Sequence, residues 1–149
     1  MSSPTPMESA LQQAQQAAAR GEVPVGAVVV HQGRIIAQAG NETKQSGDIT
    51  AHAELLAIKR ACAALGTERL TDCDLYVTLE PCTMCAGAIS HARLRRVYFG
   101  ASDPKGGAVV SGVRFFEADT CHHAPSVYEG IGEMQSAELL REFFRKKRA

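Results

Sequence analysis

The sequence predicts an α/β fold in which one sheet is layered between helices. Three observations carry this. The predicted elements follow the order helix, strand, strand, helix, strand, helix, strand. The first two strands are separated by Gln32-Gly33, a turn that makes them a hairpin. The later strands are separated by helices, which places them parallel beyond the hairpin.

Each element has a local cause. Residues 7–20 are rich in Ala, Gln and Glu and form a helix that stops at Gly21. Residues 1–7, with Pro4 and Pro6, are expected to be a loose N-terminal segment. Residues 25–31 are a β-branched run, and 34–38 alternate less cleanly behind the turn. Residues 41–50 are a polar loop. Thr50 is expected to cap a helix over 51–65, whose apolar residues recur at helical spacing and which Gly66 ends. Residues 75–79 form a short apolar strand, and Pro81 suits the first position of a helix running to about 91. Residues 96–99 are a strand closed by Gly100. A loop rich in small residues follows over 101–112, and 113–116 fit a short helix or an irregular stretch equally well. A last strand over 127–131 and a basic-ended helix over 136–147 complete the chain.

The 149 residues fit one domain, with 45% hydrophobic residues, enough for a core without disulfides. No apolar run approaches the roughly 18 residues of a membrane helix, and the N-terminus has no secretory pattern, so a cytoplasmic location is expected. Sixteen basic and sixteen acidic residues balance, so overall charge does not announce a nucleic-acid partner. Five cysteines, two of them closely spaced, point to metal or redox chemistry in a reducing compartment.

Cys82-Thr-Met-Cys85 opens a predicted helix, and positions i and i+3 share a face. Helix N-terminal amides favour the thiolates a metal needs. One C-x-x-C cannot complete a tetrahedral shell, and Cys62, Cys73 and Cys121 form no second one. His52 is the third candidate ligand, with Glu54 two residues on. In a first turn both side chains can converge around the helix end. Three protein ligands with an open fourth position define a catalytic rather than a structural zinc. Glu54, a free carboxylate beside the water there, is the candidate base and then acid. Taken singly, the C-x-x-C also suits a thioredoxin-like redox protein, and the ligand set a non-catalytic zinc module. His122 and His123 are read as non-ligands, because consecutive residues rarely converge on one ion.

The H-x-E and P-C-x-x-C pair is the signature of zinc deaminases acting on nucleobases. The chain resembles the bacterial tRNA-specific adenosine deaminases of the cytidine-deaminase-like superfamily from about residue 8 to 148. The resemblance lies in Glu22-Val-Pro-Val-Gly-Ala-Val-Val-Val30, Thr50-Ala-His-Ala-Glu54, Leu75-Tyr-Val-Thr-Leu-Glu-Pro-Cys-Thr-Met-Cys-Ala-Gly-Ala88, Arg96-Val-Tyr-Phe-Gly100 and Asp103-Pro-Lys-Gly-Gly107. The last segment and the Phe143-Phe144-Arg145 tail are specific to the tRNA-editing branch.

The resemblance implies a three-layer α-β-α fold around a five-stranded mixed sheet, one Zn2+ per chain and a homodimer. It implies hydrolysis of adenosine to inosine at the wobble position of a tRNA anticodon, usually in an arginine tRNA. Asn41 is then expected to hydrogen-bond the base, Val25 and Ala53 to line its pocket, and Asp103 and Lys105 to contact flanking nucleotides. On the residues alone, Asn41, Asp103 and Lys105 suit turn roles equally well. The basic tail Arg141-Glu-Phe-Phe-Arg-Lys-Lys-Arg148 suits RNA contact through Phe144 and Arg145, with one Phe packed inward, but also a helix C-terminus favoured by its dipole. Arg93, Arg95 and Arg96 form a second basic cluster, for RNA or a subunit interface. A deaminase of a free base or nucleotide, such as guanine or cytosine, is the alternative within the same chemistry.

Overall fold

The computed structural model describes residues 4–148. Five strands form one sheet in the order β2-β1-β3-β4-β5. Strands β1 (Gly26–His31) and β2 (Arg34–Gly40) are an antiparallel hairpin. Its turn is Gln32-Gly33, both with positive φ, the conformation a two-residue hairpin turn demands. Strand β3 (Cys73–Leu79) pairs antiparallel with β1 and parallel with β4 (Arg96–Ala101), and β4 pairs parallel with β5 (Ser126–Tyr128). The sheet is therefore mixed, with the hairpin at one side.

Side chains of β1, β3 and β4 alternate between two apolar layers, as strand geometry requires. Ala27, Val29, Leu75, Val77, Val97 and Phe99 face the main core, under α3 (Ala53–Leu65) and α4 (Thr83–Ala92). Val28, Val30, Tyr76 and Tyr98 face the other way, toward Met7 and Ala10 of α1 (Pro6–Ala19). Helix α5 (Glu133–Arg148) packs on β4 and against α1. Burial on both faces explains why β1 reads as an unbroken β-branched run. Tyr76, Tyr98 and Tyr128 lie in register and stack at 4.3 and 4.8 Å, which ties the three-residue edge strand β5 to its neighbours.

Several sequence expectations are corrected. The N-terminal segment is not loose over its described part: Thr5 caps α1 in a reciprocal capping box with Glu8, Pro6 is helical, and Met7 is buried. Residues 1–3 lie outside the described part. Thr50 does not cap α3, because its N–H and hydroxyl are both spent on Asp48; the helix starts later, with His52 at the cap. Pro81 precedes α4 rather than opening it, and Cys82 is the cap residue. The polar loop holds a short helix, α2 (Thr43–Ser46), and the stretch over 113–116 becomes a 3-10 turn at Phe115–Glu117. Strands β2, β3 and β4 run longer than expected, β5 is shorter, and α5 starts three residues earlier.

Helix α2 is too short to stand alone, and a buried carboxylate anchors it. Glu22, 1% exposed, accepts hydrogen bonds from the N–H groups of Lys44 and Gln45 and from the Thr43 hydroxyl. Burial raises its pKa, but these donors and the nearby Arg20 charge outweigh that and hold it below the usual value. With a depressed folded pKa, the stabilisation is complete above the unfolded value of about 4.3 and fades as pH falls through the folded one. Glu22→Gln is therefore expected to lower the urea midpoint at pH 7. The gap to the unaltered protein should narrow as pH drops below about 4, and urea titrations at pH 7 and pH 3 check this.

Candidate metal centre and active site

The parallel strands β3 and β4 end at one edge of the sheet, and the helix N-termini of α3 and α4 open there. Such strand ends are where α/β sheets place their sites. His52 and Cys82 are the two cap residues, both with extended backbone, and Cys85 sits three residues into α4. His52 Nδ1 lies 3.7 Å from Cys82 Sγ and 3.5 Å from Cys85 Sγ. Sulfur and nitrogen ligands of one tetrahedral zinc, at about 2.3 and 2.0 Å, stand about 3.6 Å apart, so the donors fit that ion. Among the described residues this is the only such cluster of three or more His, Cys, Asp or Glu donors.

The electrostatics suit a cation. The hydrogen bond from Cys85, with further help from His52, pulls the Cys82 thiol down to about 4. Cys85 moves up, first through that bond to Cys82 and then through burial. One negative charge thus rests on Cys82, and the His52 imidazole is raised by its hydrogen bond to it. Glu54 is 4% exposed, and burial pushes its carboxyl up to about 7.

His52, Glu54 and Cys82 border one cavity of about 250 Å³. Val25, Asn41 and Asp103 also line it, whereas Ala53, expected to line the pocket, is not among the lining residues. Ala53 is fully buried, and its N–H donates to Asn41 Oδ1 at 2.8 Å. Asn41 Nδ2 donates to the Val23 carbonyl, so this side chain bolts the end of β2 to the start of α3. Asp103 Oδ1 accepts from the N–H groups of Lys105 and Gly106, the turn role the residues alone allowed.

A groove of about 740 Å³ shares Val23, Leu79 and Asp103 with the cavity and continues over Lys105, Phe144 and Arg145. Phe143 is the inward aromatic, with Phe144 exposed, and Arg145 makes a two-pronged contact with Glu142. The second basic cluster is elsewhere. Arg95 pairs with Asp74 through two bonds and Arg96 lies 3.7 Å from the same carboxylate, at the opposite end of the sheet. His123 Nε2 contacts the Leu94 carbonyl, and neither His122 nor His123 joins the donor cluster.

Five lining residues escaped the sequence reading, Val23, Thr43, Leu79, Glu80 and Gly106, and two of them are polar side chains. Thr43 lines the cavity from α2. Glu80 lines it too and is buried, visible in sequence only as one acid inside the strand-Pro-Cys motif.

Residues 1–148 match the MafB19-like deaminase family. The tRNA-specific adenosine deaminase of Agrobacterium fabrum is 65% identical over 142 residues, covering 95% of this chain and 93% of its own. That of Bacillus subtilis is 45% identical, covering 95% and 88%. A solved structure from work on A-to-I editing by tRNA:A34 deaminases superposes with a TM-score of 0.90 at 64% identity, over 91% of this chain and 98% of that one. The guanine deaminase of Bacillus subtilis superposes at 0.65 with 31% identity, over 100% and 96%. With a catalytic-type donor set at the mouth of a cavity and relatives this close over nearly its whole length, the chain belongs to the tRNA-specific adenosine deaminases, within the MafB19-like deaminase family.

Proposed function

We propose that the protein hydrolyses adenosine to inosine at the wobble position of a tRNA anticodon, releasing ammonia. Its natural substrate would be an arginine tRNA, met in the cytoplasm. The observation that carries the reading is the buried Glu54 with the His52–Cys82–Cys85 cluster, of which Glu54, His52 and Cys82 line a cavity that adjoins a groove with aromatic and basic residues. His52, Cys82 and Cys85 would hold one zinc ion per chain. When bound, such an ion acts as a Lewis acid and lowers the pKa of its water from about 15.7 to about 7.

The protein's own groups do the rest. Glu54 takes a proton from the attacking water and delivers one to ring N1 as a C6–O bond forms. It then takes the proton of the new C6 hydroxyl and passes it to the departing amine as the C6–N bond breaks and the C6 carbonyl forms, so adenosine and water become inosine and ammonia. Val25 packs against the base. Asn41 has a second amide hydrogen beyond the one given to Val23, free to donate to the base. Ala53 acts from beneath, through the N–H that orients Asn41. Asp103 shapes its loop, while Lys105, Phe144 and Arg145 meet the flanking nucleotides of the anticodon stem-loop by charge and stacking.

The homodimer implied by the resemblance belongs to the same proposal. Met84, exposed on the first turn of α4, and an open groove between α3 and α4 that mixes Ile58 and Ala88 with Glu68, Arg69 and Arg93 offer surface for it. No described helix is long and apolar enough to cross a membrane.

The guanine deaminase likeness favours one competing reading, a free-base enzyme. The purified protein, incubated with an anticodon stem-loop carrying adenosine at the wobble position, is expected to form inosine and to leave free adenosine, guanine and cytidine unchanged. Activity on free bases alone would overturn the proposal.

Glu54→Gln should lower the deamination rate by about 10²–10⁴-fold with zinc content unchanged, as read by rate assay and elemental analysis. Stripping the metal with a chelator should abolish activity, and added zinc should restore it. Replacing Phe144 and Arg145 together by Ala should raise KM for the stem-loop about tenfold or more and flatten its salt dependence.

A further inference from the structure

Glu80 is a buried carboxylate that the proposed mechanism does not use. It sits between β3 and Cys82 and is 2% exposed. Its own N–H donates to the Ala101 carbonyl at the end of β4. Oε1 accepts from the Asp103 N–H and the Ser111 hydroxyl, each at 2.9 Å. Oε2 accepts from the N–H groups of Val109, Val110 and Ser111, at 3.0, 2.9 and 2.9 Å. An ionised carboxylate has about four lone-pair sites, so five donors leave nothing of Glu80 for a substrate or a metal.

All five donors come from one loop, residues 103–111, and that loop brings Asp103 and Gly106 to the cavity wall. The loop also passes close: a Cβ on Gly107 would collide with the Glu80 carboxylate, so only glycine fits there. The Ala108 N–H donates to the Pro81 carbonyl, stitching the loop to the turn that opens α4. A loop with adjacent glycines has high intrinsic freedom and no regular secondary structure to hold it. Here a single anion replaces that missing framework.

We infer that Glu80 is a positioning residue: through its five hydrogen bonds it fixes residues 103–111 as the wall that receives the substrate, and so governs substrate binding rather than the chemical step. The inference rests on reading the cavity as the substrate's.

Glu80→Gln keeps the shape and turns one acceptor oxygen into a donor facing other donors. With zinc content unchanged, it should raise KM for the stem-loop about tenfold or more and move kcat less than about threefold. Amide hydrogen exchange at Val109, Val110 and Ser111 should quicken. Ser111→Ala removes one of the five bonds and leaves Pro81-Cys82 untouched; its KM should rise in the same direction by about two- to fivefold.

An unchanged KM in Glu80→Gln would overturn the inference. So would a loss of kcat or zinc at constant KM, since Glu80 would then act through Cys82. Should Glu80→Gln fail to fold, Ser111→Ala decides: unchanged KM and unchanged amide protection overturn the inference. If the unaltered protein deaminates no stem-loop, the functional reading fails instead. The exchange measurement then judges Glu80 alone, and protection retained in Glu80→Gln rejects it.

Discussion

Donors from two helices can meet at one point only if the intervening chain brings both helix starts to the same edge of the sheet. Here β3 runs between α3 and α4 and delivers Cys82 next to His52. The antiparallel pairing of β1 with β3 brings the start of β1 and the end of β2 to that same edge. Every other feature of the site follows from this convergence. Val25 and Asn41 come from the hairpin, Glu54 from one helix, and Asp103 from the loop beyond β4.

Convergence concentrates polar groups where the sheet ends, and buried polar groups must find partners. Two carboxylates absorb much of this need. Glu22 gathers the amides of α2, and Glu80 gathers those of the loop over 103–111. Each sits beside a different wall of the cavity, and both are held below their usual pKa by the donors they collect, against the opposing effect of burial. Glu54 is equally buried but gathers no such set, and its carboxyl is pushed up instead. Similar burial with different donors separates carboxylates held low by backbone amides from one that burial pushes up.

The outer groove has a different character. Phe144, Lys105 and the basic residues of α5 are exposed, and several cations already have local acidic partners, such as Arg145 with Glu142 and Arg141 with Glu138. Exposed pairs of this kind are worth little in stability, so they leave the cations available to phosphate at small cost. The Arg95–Arg96 cluster resembles this tail in sequence. It differs because Asp74, nearly buried, takes both guanidinium groups at the far end of the sheet.

Local chemistry carried much of the fold. The two-residue turn, the β-branched strands and the helix between His52 and Cys82 were all legible, because period, turn residues and caps act over a few neighbours. So was the donor set, because H-x-E and P-C-x-x-C constrain the residue types a zinc site needs. The sequence alone missed where the helices begin: Thr50 has a capping hydroxyl, but Asp48 claims it. It also left open whether Asn41 faces a turn or the base, and gave Glu80 no role. The hydrogen bonds that Asn41 and Glu80 make reach partners 12 to 31 residues away, which no local pattern encodes. By itself, then, the sequence determined the chemistry of the donors and the succession of elements. Only the tertiary structure decided which buried carboxylates gather backbone amides and which gathers none, because that choice is made by distant chain segments packing together.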